Sequence, residues 1–221
     1  MEVGILGATG PAGSGLAVRL ASVGIDVVVG SRSKERAQET CTALLERWPG
    51  RGLSLSPADN GVAAEAEVVV VATPWEAAAA TAHSVAPQLD GKVVISMANA
   101  LTRMGHGEFE PLVPPRGSVA AHVQSSVPGS LVAAAFHHLP AKALASLDVP
   151  IQSDVLICSD HEAAYEATAR LVELIPDLRP LNAGSLSNAG PIEAITAVLL
   201  QLNVRYKTRA ALRLTGIDPD R

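Results

Sequence analysis

A short apolar run, Val3 to Leu6, breaks at Gly7-Ala8-Thr9-Gly10-Pro11-Ala12-Gly13 and resumes as a helical pattern reaching Val23. No other stretch restricts the possible folds as much. A strand that ends in glycines and passes straight into a helix makes a tight turn whose backbone can approach a phosphate. The first N–H groups of that helix then point at the anion. Leu16, Leu20 and Val23 share one helical face, and Gly24 ends the helix. A second strand follows at Asp26 to Gly30, and its Val27-Val28-Val29 run is that of a strand buried on both faces. This unit predicts a doubly wound parallel α/β sheet of the Rossmann kind. Gly7, Thr9, Gly10, Pro11, Ala12 and Gly13 are its expected phosphate cradle. Thr9 is placed to add a hydroxyl, and Ala8 permits the turn if its φ stays negative.

The tip of the second strand selects the nucleotide. An acid there would hold a ribose 2′-hydroxyl, but this chain has Ser31-Arg32, followed by Lys34 and Arg36. A carboxylate would repel a 2′-phosphate, whereas a hydroxyl and guanidinium forks bind one. Basic residues in a helix's first turn oppose its dipole by about 0.3–1 kcal/mol each. A compensating anion is therefore expected, and the expected cofactor is NADP.

The alternation continues. Strands are expected at Leu53–Ser56, Val68–Ala72, Val93–Ser96 and Leu131–Phe136, and helices at Ser33–Trp48, Asp59–Ala66, Glu76–Val85 and Ser118–Ser126. Residues Met97–Pro115 read as loop. After Asp148 the pattern restarts with strand (Val155–Cys158), helix (Glu162–Ile175), short strand (Leu178–Leu181) and a long helix from Ile192 to Arg209. The expected division is a dinucleotide-binding unit at 1–150 and a smaller C-terminal α/β unit at 151–221. Thr73-Pro74-Trp75 and Met97 to Leu101 follow strands and are expected to border the cleft.

With 17 basic and 22 acidic residues and no basic stripe, nothing points to nucleic acid or an anionic membrane. Two distant cysteines give neither a disulfide framework nor a zinc site, so no metal is expected. No apolar run approaches the ~20 residues of a membrane span, and the N-terminus lacks a signal-peptide layout. The expectation is a cytoplasmic protein. Adjacent His137 and His138, read as extended chain, would point to opposite sides, which makes a poor metal pair but lets one face the cleft. No paired carboxylates or Ser/His/Asp ordering suggest acid–base or nucleophilic catalysis.

Several segments together resemble the NADPH-dependent reductases of coenzyme F420, an 8-hydroxy-5-deazaflavin: GATGPAGSGLAVRLA, VVVGSR, VATPWE, KVVIS, FHHLPA, DVLICSD, LRPLNAGSLSNAGPIEAIT and LNVRYK. The resemblance spans residues 3 to about 214. It implies a homodimer that exchanges hydride between NADP(H) and F420, with small-molecule cofactors as its partners. It also implies that Thr9 to Ala12 hold a pyrophosphate and that Ser31, Arg32 and Arg36 hold the 2′-phosphate. Trp75, Leu101, Ala141 and Leu212 would border NADP, with His137, His138 and Leu139 near the ring stack and no certain catalytic residue. The chain departs from the family pattern at Ser14, where members often carry Lys, and at Met97-Ala98-Asn99-Ala100, where they often carry a Pro-rich turn. The residues alone leave open a reductase of another acceptor (imine, ketone or flavin) or a non-catalytic NADP(H) sensor.

Overall fold

The computed structural model describes residues 1–217. Residues 1–150 supply β1 (Glu2–Leu6), β2 (Asp26–Ser31), β3 (Leu55–Asp59), β4 (Val68–Val71) and β5 (Val93–Ser96). A hairpin of β6 (Leu101–Arg103) and β7 (Phe109–Pro111) follows, and then β8 (Leu131–Ala134). Between these strands lie α1 (Pro11–Ala21), α2 (Lys34–Arg47), α3 (Asn60–Ala63), α4 (Trp75–Ser84), α5 (Ala86–Leu89) and α6 (Val119–Ser126), with α7 (Ala141–Leu144) after β8. The remainder adds β9 (Ser153–Ser159), α8 (Glu162–Glu173), β10 (Leu178–Asn182) and α9 (Ala189–Tyr206).

One eight-stranded sheet has the order β10-β9-β8-β5-β4-β1-β2-β3. Its β3-to-β8 portion is parallel throughout. Both faces of this portion are covered, which is why β4 can be four consecutive buried valines. Alanine, valine and leucine fill both core layers, and Phe136 is the largest fully buried side chain. Strand order reverses between β1 and β4, and ligands of such sheets bind outside the carboxyl ends at that switch.

Three expectations shift. The third strand lies at Leu55–Asp59 rather than Leu53–Ser56 and runs through Pro57. Proline is tolerated because β3 is an edge strand and needs no ladder donor on its open side. Residues 97–115 contain the β6–β7 hairpin, whose three-residue strands are too short to show alternation. The sheet also does not stop at residue 150. β9 pairs antiparallel with β8, so residues 151–217 extend the first sheet instead of building a second. Among the described residues no helix is long and apolar enough to cross a membrane.

Candidate functional site

Two neighbouring clefts open at the carboxyl ends of the parallel strands. The larger, about 840 Å³, is lined by Gly7, Thr9 and Gly10, by Ser31, Arg32, Ser33 and Arg36, by Asn60 and Ala72–Pro74, and by one side of α4. Gly7 takes the positive φ of the turn (73°), and a methyl there would collide with Thr73 Cγ2. Ala8 avoids positive φ, as the turn required, and its N–H donates to the Gly30 carbonyl at 2.9 Å. Gly13 is the close-packing glycine, because a Cβ would lie 2.8 Å from Ala8 Cα and 3.0 Å from Ala72 Cβ. Gly10 caps α1 without a side chain, and no acid occupies the first turn. The free amides of α1 thus face outward with their partial positive charge uncompensated. Thr73 Oγ1 is buried without a hydrogen-bond partner, the mark of a group that a bound ligand would satisfy.

At the tip of β2, Ser33 Oγ accepts the Arg36 N–H at 3.4 Å and donates to Glu35 Oε2 at 2.6 Å. That hydroxyl, the local backbone and Lys34 hold the Glu35 carboxyl below its usual range. Glu35 is therefore engaged locally, and among the described residues neither Arg32 nor Arg36 pairs with a carboxylate. Lys34 does not line the cleft. Sequence reasoning missed Asn60, whose Oδ1 accepts the Gly7 N–H at 3.3 Å and so braces the glycine turn from β3's end. It also missed Ala77, Thr81 and Ser84, helix positions that belong to no motif.

The smaller cavity, about 230 Å³, begins at Ala12 and is walled by Met97, Asn99, Leu101, the Phe136–Ala141 segment and four residues of α9, Thr196, Leu199, Leu200 and Asn203. His137 and His138 are not in extended chain. They occupy a turn closed by the Leu139 N–H on the Phe136 carbonyl at 3.0 Å, and Phe136 itself has φ 62°. Their rings meet edge to face at 5.1 Å, both buried. Since a carbonyl only accepts, the His138 Nε2 contact of 2.8 Å with the Asp154 carbonyl fixes the Nε2–H tautomer. Neither ring nitrogen of His137 has a partner. Burial, with His138 adding, lowers the His137 pKa to about 3, against opposition from the Ala135 backbone. Burial also lowers that of His138. Both imidazoles are neutral near pH 7.

Buried groups around the cavity hold these walls. Arg19 of α1 donates to the carbonyls of Ala143 at 2.8 Å, Leu144 at 3.1 Å and Ser146 at 2.6 Å, tying α1 to α7 beside Ala141. Fully buried Asp154 takes a bidentate fork from Arg179, at 2.8 and 2.7 Å, and the Leu214 N–H at 2.6 Å. Burial pushes its carboxyl up, but Arg179, Leu214 and Arg213 together outweigh that and hold it low. Glu193 of α9 accepts the Val119 and Ala120 N–H groups at 2.8 and 3.1 Å, capping α6. Burial raises its pKa to about 7 against those two bonds.

Most of the residues expected at the site line one of the two clefts, but Pro11, Gly13, Trp75 and Leu212 do not. Trp75 is half-buried against the core layer that contains α4 and α6, and does not line the large cleft. Leu212 runs beside β9, where its carbonyl accepts the Asp154 N–H at 2.7 Å, outside both clefts. Cys41 and Cys158 are separate, buried thiols, each pushed up to about 11 by burial. Among the described residues no group of three or more His, Cys, Asp or Glu side chains could hold a metal.

The strand order, the glycine turn and the uncapped α1 amides define a Rossmann-type, dinucleotide-binding α/β protein. A family model described as NADP oxidoreductase coenzyme F420-dependent matches residues 2–100. The chain is 34% identical to the F420-dependent NADP reductase of Methanocaldococcus jannaschii, over 99% of this chain and 100% of that one. It is 36% identical to the F420-dependent NADP reductase of Methanothermobacter marburgensis, over 98% and 99%. This chain belongs to the F420-dependent NADP reductase family. A solved candidate F420-dependent NADP reductase from Arthrobacter sp. FB24 shares the fold, with TM-score 0.78 and 23% identity over 97% of this chain and 99% of that one.

Proposed function

We propose that this protein transfers hydride between NADP(H) and coenzyme F420, working as a cytoplasmic homodimer. The observation that carries the reading is the junction of the two clefts at α1. A polar, cationic cleft runs from Arg32 to the glycine turn, and an apolar cavity with two neutral imidazoles starts at Ala12. One side suits a phosphorylated dinucleotide and the other suits flat rings.

The residues fit both groups. The α1 amides with Thr9, Gly10 and Thr73 would hold the pyrophosphate, and Ser31, Arg32 and Arg36 the 2′-phosphate. Leu101, Leu139 and Ala141 would border the rings, with His137 beside them. Reduced nicotinamide supplies a hydride that the deazaflavin accepts, or the reverse. The protein's part is orientation. Holding the reacting carbons at ~3–3.5 Å can remove on the order of 7–11 kcal/mol of barrier without covalent help. The cavity walls exclude water, and the neutral His137 ring can hydrogen-bond to a ligand without donating a cationic proton. The dimer reading is supported by Val198, Leu202 and Tyr206, which recur every four residues on α9 and are 53%, 37% and 67% exposed.

Mixing the protein with NADPH and oxidised F420 tests the reading. Bleaching of the deazaflavin's visible band in step with NADPH oxidation is the expected result. Tight NADPH binding without bleaching at any pH would overturn it.

A further inference from the structure

We propose that Asn99 and Thr196 are a pair of positioning residues that fix the His137–Leu139 turn, and with it the ring-facing wall of the small cavity. The proposal rests on the functional reading above for its kinetic consequence, but not for its geometry. Phe136, buried and aromatic, sits at φ 62°. A side chain of that size in the left-handed region is strained and persists only where neighbours over-determine it. The next residue, His137, has an unpartnered ring, so nothing polar on the side chain orients it. Its buried carbonyl needs a donor, and that donor is Asn99 Nδ2 at 2.7 Å.

The amide orientation follows from chemistry, since only the nitrogen of Asn99 can donate to a carbonyl. Asn99 Oδ1 then accepts from Thr196 Oγ1 at 3.2 Å. Thr196 has one proton, and its other contact, 3.5 Å to the His137 carbonyl, is at the limit of a hydrogen bond. The result is a relay of donors, Thr196 to Asn99 to His137. It joins α9, the segment after β5 and the turn after β8, three pieces of chain that converge at this cavity. Without it, the strained turn loses its polar tether, and Leu139 and the His137 ring are free to shift against the bound rings. An ångström-scale misplacement of reacting groups costs about 100-fold in rate.

Three single variants of this chain, and the double variant Asn99→Asp with Thr196→Val, separate positioning from general stability. Asn99→Asp and Thr196→Val keep the shape but remove one donor each, whereas Thr196→Ser keeps the hydroxyl. The first readout is NMR of the Leu139 methyls and His137 ring protons without cofactor. The second is kcat and KM for each substrate. Both donor-less variants should shift the Leu139 and His137 signals and lower kcat about tenfold or more, with NADPH KM within about twofold. Thr196→Ser should recover most of that loss, and the double variant should be no worse than the worse single one. Unmoved signals, a serine no better than valine, or a loss confined to NADPH KM would overturn the proposal. If Asn99→Asp fails to fold, the valine and serine pair decides. If the wild-type protein reduces no deazaflavin, the functional reading fails, while the NMR comparison still tests the relay.

Discussion

Arg32 and Arg36 stand at the cleft rim with exposed charges, and among the described residues no carboxylate pairs with them. An arginine that reads a phosphate by charge-assisted bonds contributes about 1.5–3 kcal/mol. Arg32→Asp should therefore raise NADPH KM roughly 10- to 100-fold and move preference toward NADH, with kcat at saturation changed far less. Steady-state kinetics with both nucleotides checks this, and an unchanged preference would contradict the assignment. This rim was legible because contiguous residues at a strand tip carry it. The Met97–Leu101 segment was expected at the cleft, but the roles of Asn60, Asn99 and Thr196 were not legible, since each gains its meaning from a partner at least 38 positions away. His137 has its own test. With a pKa lowered to about 3 by burial, it stays neutral from pH 5 to 8. Imidazole nitrogen shifts should show no titration over that range, and the pH profile of kcat should carry no step from this residue.

Among the elements, α1 could be read directly because its pattern is local, and the same holds for the buried run of β4. The β6–β7 hairpin and the placement of α9 could not, because long-range contacts decide them. Gln201 Nε2 on the Phe109 carbonyl, at 2.7 Å, is one such contact. Glu193 is another, carrying its carboxylate from α9 to the N-terminus of α6. Helix amides favour the charged form, but burial prevails and raises the pKa to about 7. Cys158, the neighbour whose own titration Glu193 disturbs, remains a thiol throughout this range. The folded state then holds a proton that the unfolded chain releases near 4.5. Stability associated with Glu193 is full below about pH 4.5 and is lost as pH rises through about 7. The change corresponds to about 3 kcal/mol. The buried histidines act oppositely, because the unfolded chain binds protons that they refuse. Comparison with Glu193→Gln cancels their part. In urea titrations, wild type minus Glu193→Gln should fall by that amount between pH 4.5 and 7 and stay flat above pH 8. A difference independent of pH would show that the carboxylate is already charged at acid pH.

At the scale of the whole molecule, one helix serves both the cavity and the surface. Thr196, Leu199, Leu200 and Asn203 of α9 wall the cavity, while Val198, Leu202 and Tyr206 lie on a different, exposed face. Three large apolar side chains at four-residue spacing lose free energy in water, at roughly 25 cal/mol per Å² of apolar area that a partner could cover. A second copy of the chain offers the same stripe, and a two-fold interface is self-complementary by construction. Docking there would press α9 onto the cavity and stiffen the wall that carries Thr196. Placing two charges in the stripe, Val198→Glu with Leu202→Glu, should convert a dimer to a monomer in sedimentation velocity. Because the Arg32 rim lies on the other side of α1, NADPH affinity should stay within about threefold. Turnover of the deazaflavin should fall by about tenfold or more, through loss of orientation. A wild-type monomer would overturn the dimer reading, and a dimer that survives both glutamates would place the interface elsewhere. Equal losses at both clefts would mean that the glutamates disturb the fold instead of the assembly.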